Sequence, residues 1–170
     1  MARIWVASDH HLSHAGVVHT FKRDDGSPLR DFRNLLEHDE YILRMHNELV
    51  SPEDHVYFLG DFVMQRKYLR KAERFLGKKR LVRGNHDVFK TKEYMDVGFE
   101  EIYGVRVFPK HNLILSHIPL HPSCLEGRNW VNVHGHTHYR VVLDSNGHPD
   151  PRYRCVCLEQ TSYKPVLLME

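Results

Sequence analysis

Five short runs rich in β-branched, aliphatic and aromatic residues are each followed at once by side chains able to bind a metal. Arg3–Ala7 leads into Ser8, Asp9, His10 and His11, and His55–Leu59 leads into Gly60 and Asp61. Arg80–Val82 passes through Arg83 into Gly84, Asn85, His86 and Asp87. Asn112–Leu115 runs into Ser116 and His117, and Trp130–Val133 into His134, Gly135, His136, Thr137 and His138. Runs of this length and composition predict strands. In open α/β sheets, ligands bind in the crevice outside the carboxyl ends of the strands, where the loops converge. The pattern therefore predicts that residues scattered from position 9 to position 138 meet in one pocket.

The rest of the chain predicts an α/β fold. Leu35, Tyr41, Ile42, Met45 and Leu49 recur at helical intervals with charged residues between them, and Pro52 stands where that helix must have ended. A second helix is expected from about Lys67 to Leu76, before Gly77. In the last third, Tyr139–Leu143, Arg152–Leu158 and Lys164–Leu168 read as strands with no helix between them. The turn residues Asp144, Ser145, Asn146 and Gly147 predict an antiparallel hairpin or meander there. The 170 residues show no internal repeat or low-complexity tract, so a single domain spanning 1–170 is expected.

Composition narrows the function classes. A hydrophobic fraction of 41% and a charged fraction of 27% exclude wholesale disorder. A net charge of +2 gives no overall attraction to nucleic acid or to an anionic membrane. No stretch is apolar for long enough to span a bilayer, and the first residues enter a strand-like run with no leader peptide. Three cysteines favour a reducing compartment over a disulfide framework, so a cytoplasmic location is expected. Histidine stands out: its 15 copies outnumber the 8 Phe and 2 Trp together, and it is the commonest metal ligand and acid–base group.

Asp9/His11 and His136/His138 are both spaced i, i+2, which in an extended segment turns two side chains to one face. With Asp61 able to bridge through its two oxygens, the donors suffice for two adjacent cations. Mixed oxygen and imidazole ligation suits Mn, Fe, Zn or Ni better than Mg or Ca alone. Gly60 and Gly84, directly before candidate ligands, allow the backbone to turn sharply, and Gly135 can serve the same purpose.

The ordered pattern Asp-x-His, Gly-Asp, Gly-Asn-His-Asp, His, Gly-His-x-His resembles the calcineurin-like metallophosphoesterase superfamily. The stretch Asp9-His10-His11-Leu12-Ser13-His14 is similar to its compact, cap-less bacterial and phage-type branch. The resemblance implies an αββα sandwich of two mixed β-sheets flanked by helices, with a dinuclear metal centre at the strand ends. Carried over by position, it implies Asp9, His11 and His138 on the first metal, Asp61 bridging, and Asn85, His117 and His136 on the second. Manganese is the leading candidate for both ions, with Fe, Zn, Ni and Mg as alternatives. His86 would be the acid facing the phosphate, and Asp87 would orient it. The implied chemistry is two-metal hydrolysis, in which a metal-bridging hydroxide attacks phosphorus in line with the leaving group.

Departures from the family pattern narrow the substrate. After Gly60 and Asp61 the chain reads Phe62, Val63, Met64 and Gln65, so Met64 and Gln65 replace the second Asp and the phosphate-binding Arg of the Ser/Thr protein phosphatase branch. The chain is also too short for the cap of the superfamily's DNA-repair nucleases. A phosphomonoester or a small nucleotide-type phosphodiester is the expected substrate, with His14, Arg23, Arg83 and Arg128 as candidate contacts. A nuclease acting on single strands or ends is the alternative; the cluster Lys22, Arg23, Arg30 and Arg33 favours it and the near-neutral charge opposes it. A non-catalytic binding or scaffold module on the same fold is opposed by the complete ligand set. His10 should point away from His11 and be structural, and Cys155 and Cys157 should share one side of a strand as core or half-buried residues.

Overall fold

The computed structural model describes residues 2–127 and 129–169. In chain order the strands are β1 (Ile4–Ala7), β2 (His55–Phe58), β3 (Lys78–Val82), β4 (Phe99–Tyr103), β5 (Arg106–Phe108), β6 (Leu113–Ser116), β7 (Val131–His134), β8 (Tyr153–Cys155) and β9 (Val166–Met169). Helix α1 (Leu35–Asn47) lies between β1 and β2, and the short α2 (Thr91–Met95) between β3 and β4. Two mixed sheets result, ordered β4-β3-β2-β1-β9 and β5-β6-β7-β8. In the first, β1 to β4 run parallel and β9 returns antiparallel beside β1. In the second, β6, β7 and β8 run parallel and β5 is antiparallel to β6.

The period-two alternation of strand side chains divides the interior. Val6, Tyr57, Leu59 and Val82 from one sheet meet Leu115, Val133 and Val156 from the other, forming the layer between them. The opposite face of the first sheet carries Trp5, Ala7, Val56, Phe58 and Leu81, covered by Ile42 and Leu43 of α1 and by Leu69, Ala72 and Phe75. Full burial of an aliphatic or aromatic side chain contributes about 1.5–3 kcal/mol, so this layer holds α1 to the sheet. Asn34 caps α1, its Oδ1 accepting from the Glu37 N–H at 2.9 Å.

The outer face of the second sheet is covered by a loop. Buried Asn132 organises it: Nδ2 donates to the Ile114 carbonyl (3.1 Å) and Ser116 Oγ (2.8 Å), and Oδ1 accepts from the Leu120 N–H (2.8 Å). Tyr153 adds a bond from its hydroxyl to the Leu120 carbonyl at 2.7 Å. No helix among the described residues is long and apolar enough to cross a membrane.

Several expected elements differ. The second helix is a 3-10 helix over Arg66–Arg74. Its buried side chains, together with Phe75, recur every third residue (Leu69, Ala72, Phe75), which matches three residues per turn. Tyr139–Leu143 forms no strand; it contributes only an isolated bridge between Leu143 and Pro149 across the 144–147 turn, and Val141 and Leu143 stay about half exposed. The C-terminal strands therefore make no meander: β8 pairs parallel with β7, and β9 crosses to the other sheet. Strand β4 carries Glu100 and Glu101 at a sheet edge, where they pair with Arg80 and give no alternating apolar signal.

His46 generates a test of this packing. Its ring stacks on Phe58 (centroids 5.6 Å apart, planes 15°) and meets Phe75 edge-on at 5.0 Å. Nε2–H donates to the Leu76 carbonyl at 2.9 Å, while Nδ1 is buried without a partner. Burial lowers its pKa from 6.5 to about 4. Between those values the unfolded chain binds the additional proton, so stability is present above pH 6.5 and falls as pH drops toward 4. Denaturant unfolding at pH 7 and pH 5 is expected to show this loss, and His46→Leu to flatten it. An unchanged pH slope in His46→Leu would contradict the assignment.

Candidate metal centre

The loops that carry the candidate ligands continue the strand ladders. Asp9 N–H donates to the Gly60 carbonyl (3.1 Å), His11 N–H to Asp61 (2.9 Å) and Leu12 N–H to Phe62 (3.0 Å), so the 9–12 and 60–63 stretches run side by side. The two sheets are joined at the same end: Ser8 N–H donates to the Val156 carbonyl (3.1 Å), Val156 N–H to His134 (2.8 Å) and Gly135 N–H to His117 (2.8 Å). This backbone seam gathers the carboxyl ends of strands from both sheets. Glycine is required within it: a Cβ at Gly84 would overlap Asp61, and one at Gly135 would overlap Ser8 Oγ and the Asp9 carboxylate.

The side chains converge by turns rather than by the pleat expected from i, i+2 spacing. Asp9 (φ 60°), His11 (46°), Asp61 (53°), His136 (68°) and His138 (52°) all hold left-handed backbone conformations. Such residues cost about 1–3 kcal/mol each and cluster at functional sites, where the surrounding structure fixes them.

Two groups of donors share Asp9. Asp9, His11 and His138 form one, and Asp9, Asp61 and His117 the other, with ligand atoms within 4.8 Å of one another in each. Asp9 Oδ2 is fully engaged, lying 2.6 Å from Ser8 Oγ and accepting from the His136 N–H (2.8 Å) and Cys157 Sγ (3.2 Å). Its Oδ1 is buried without a hydrogen-bond partner, 3.6 Å from His11 Nε2 and 3.9 Å from His138 Nε2. His11 Nε2 likewise has no partner and lies 3.8 Å from Asp61 Oδ2. His117 Nε2 is 3.4 Å from Asp61 Oδ2, 2.9 Å from Asn85 Oδ1 and 3.2 Å from His136 Nδ1. Buried polar atoms left unpaired among so many lone pairs are what a cation-binding cradle presents, so the donor set fits two divalent ions.

The electrostatics agree. Burial pushes the Asp9 carboxyl up, but the neighbouring imidazoles of His11, His117 and His138 outweigh it and hold it far below the carboxylate range. Burial lowers His117, yet Asp61 and Asp9 overcome this and raise it to about 9. Burial likewise opposes charge on His138, and the Glu159 carboxylate raises it. Concentrated negative charge thus favours cations on the imidazole side of the cradle.

The expected residues do not all gather here. Asp9, His11, Asp61, Asn85, His117, His136 and His138 do, and His86 stands at the rim, 46% exposed at its side chain, with Nε2 4.0 Å from Asp61 Oδ2. His14 lies beside them, its ring 5.4 Å from that of His11. His10 points away, among Phe58, Phe62 and Phe75. Asp87 makes no hydrogen bond to the His86 ring; its carboxylate instead accepts the backbone N–H groups of Asp61 (2.7 Å), Gly84 (2.8 Å) and Phe62 (3.2 Å), and so holds two loops together. Arg83 is also turned from the cradle, because its guanidinium donates to the carbonyls of Asp87 and Phe89 (2.9 Å each) and to Thr91 Oγ1 (3.0 Å). Arg23 lies over the Tyr139 ring at 5.6 Å. Arg128 lies outside the described residues.

Three contributors were not read from the sequence. Glu159 Oε1 sits 2.9 Å from His138 Nδ1, and Arg30, placed by sequence in an exposed basic cluster, is fully buried and ion-paired to Glu159 at 2.8 Å. Cys157 touches Asp9 instead of packing as plain core. Glu159 had a legible signal, since it directly follows the apolar end of the expected strand Arg152–Leu158, as the other cradle residues follow theirs.

The chain is 29% identical over 174 residues to an uncharacterised protein of Methanocaldococcus jannaschii, covering 99% of this chain and 88% of that protein. A solved protein of unknown function from Aquifex aeolicus superposes with a TM-score of 0.70 at 28% identity, over 98% of this chain and 95% of that one. A nuclease of Pseudomonas putida shares the fold at a TM-score of 0.52 and 21% identity, over 85% of this chain and 66% of that one. Residues 2–161 match the family described as calcineurin-like phosphoesterase, and the chain belongs to that family.

Proposed function

We propose that this chain is a dinuclear-metal-dependent phosphoesterase that hydrolyses phosphomonoesters or small nucleotide-type phosphodiesters. One observation carries the reading: two donor groups share Asp9, and Asp9 Oδ1 and His11 Nε2 face each other buried and unpaired. Asp9, His11 and His138 would hold one cation and Asn85, His117 and His136 the other, with Asp61, whose Oδ2 lies 3.8 Å from His11 Nε2 and 3.4 Å from His117 Nε2, placed to serve both. When bound, two divalent cations lower the pKa of water and neutralise phosphoryl oxygens.

The chain's own residues set up that chemistry. Leu59 O accepts from His117 Nδ1–H at 2.8 Å, which orients Nε2 into the cradle. Glu159 does the same for His138 by accepting from Nδ1–H at 2.9 Å. Asp61 Oδ1 accepts from the His86 backbone N–H (3.0 Å), which fixes the histidine at the rim. There His86 donates a proton to the departing oxygen. Manganese is the metal we favour, and a small phosphoester is the partner.

A nuclease reading has one observation in its favour, the exposure of His86 at a rim that a strand end can approach. A panel of p-nitrophenyl phosphate, bis(p-nitrophenyl) phosphate and labelled oligonucleotides, assayed with Mn, Ni, Zn and Mg, separates the readings. Hydrolysis of the small esters with Mn is expected. Cleavage of oligonucleotides alone selects the nuclease, and fewer than one metal per chain with no hydrolysis selects a non-catalytic module. His86→Asn is expected to keep both metals by elemental analysis and to lower kcat by about 10²–10⁴. Full turnover in that variant removes His86 from the mechanism.

A further inference from the structure

A cavity of about 450 Å³ opens beside the cradle, lined by Phe21, Lys22 and Leu29 and by the segment 136–140. That volume falls in the roughly 300–1,000 Å³ range of small-ligand sites. Aromatic rings connect it to the cradle without a break. His138 stacks on His11 with centroids 5.2 Å apart, His11 lies 5.4 Å from His14, and His14 meets Phe21 edge-on at 5.6 Å.

The wall that carries Phe21 and Lys22 is fastened. Leu29 N–H donates to the Phe21 carbonyl and Arg23 N–H to Ser27, both at 2.8 Å, which closes residues 21–29 into a small hairpin. Asp24 clasps the opposite segment, accepting from the Tyr139 hydroxyl (2.8 Å) and from Arg140 Nη2 (2.6 Å). Arg23 and Arg140 both lie over the Tyr139 ring, at 5.6 Å and 5.3 Å. Tyr139 and Arg140 are therefore committed to holding the cavity.

Phe21 and Lys22 are not. Phe21 is 48% exposed, so part of its ring is free to meet a ligand. Lys22 is exposed as well, and the acids of its own loop are engaged elsewhere, Asp24 with Tyr139 and Arg140 and Asp25 with Ser27. An aromatic face stacks on any nucleobase, and an ammonium pairs with phosphate. We propose that this cavity is the subsite for the base and adjoining phosphate of a nucleotide substrate, with Phe21 stacking on the base and Lys22 neutralising the phosphate next to the reacting one. The inference rests on the phosphoesterase reading of the cradle, and it names that site's substrate class. The same base-and-phosphate unit occurs in a free dinucleotide and at the end of a nucleic-acid strand.

Two readouts test it on the full chain and on Phe21→Ala, Phe21→Trp and Lys22→Ala. The first is calorimetric binding of a 5′-phosphorylated thymidine dinucleotide in EDTA, with no turnover. Phe21→Ala and Lys22→Ala are each expected to weaken binding about tenfold, and Phe21→Trp to restore it to within about twofold. The second is kcat/KM with Mn for thymidine 5′-p-nitrophenyl phosphate relative to bis(p-nitrophenyl) phosphate, a ratio expected to fall about tenfold in Phe21→Ala. Equal dinucleotide binding by the unaltered chain and Phe21→Ala overturns the subsite. If the unaltered chain hydrolyses no ester while the binding losses appear as expected, the subsite stands and the hydrolase reading falls. An oligonucleotide bound much more tightly than the dinucleotide assigns the unit to a strand end; equal affinity assigns it to a free nucleotide.

Discussion

The carboxylate of Asp9 is the constraint on which the rest of the site depends. It sits where the first β-strand of one sheet meets the seam to the other, and both donor groups include it. Ser8, the His136 backbone and Cys157 engage Oδ2 completely, so the carboxylate cannot rotate and Oδ1 alone faces the cradle. A freely rotating carboxylate would satisfy its own lone pairs from nearby N–H groups. Held in place, it leaves a buried oxygen whose only remaining partners are imidazole nitrogens and whatever cation they share.

Behind this residue lies a buried polar network that keeps it there. The Arg30 guanidinium donates to the backbone carbonyls of His10 (2.9 Å) and Asp9 and pairs with Glu159. It also contacts His38, whose ring is joined to Asp39, and Asp39 in turn accepts from the Ser13 N–H and hydroxyl. A buried charge is costly unless paired and hydrogen-bonded, and Arg30 is both. Burial pushes Glu159 up, but Arg30 and His138 bring it down to about 2, so the carboxylate that orients His138 stays ionised across the neutral range. Helix α1 is thereby linked to the metal cradle through side chains with no metal-binding role of their own.

Much of this was legible in the sequence because strand ends are local. An apolar run followed by Asp, Asn or His states both where a strand stops and what stands at its mouth, and five such runs located the cradle at Asp9, Asp61, Asn85, His117, His136 and His138. What escaped were features set by distant partners. Arg30 reads as one of four basic residues near a loop, and only its contact with Glu159, 129 positions away, makes it interior. Strand β4 is recognisable only beside Arg80, which pairs with both of its glutamates. Arg83 stands beside a signature block, which suggests a substrate contact, and the family resemblance assigns Asp87 to the His86 ring; Arg83 instead bonds to two backbone carbonyls and Thr91 Oγ1, and Asp87 accepts backbone N–H groups. Residues 139–143 have a strand-like composition but pair only through the Leu143–Pro149 bridge, with Tyr139 and Arg140 bonded to Asp24 instead of to a strand.

The left-handed backbone at Asp9, His11, Asp61, His136 and His138 bears on how such a protein ages and adapts. These residues hold conformations their own side chains disfavour, kept there by the seam between the sheets. When neighbouring contacts weaken on warming, the same positions have the most to gain by relaxing. Heat tolerance and chemical competence are thus set against each other within a few loops, and a lineage hardening this fold must reinforce the seam and leave the donors as they are.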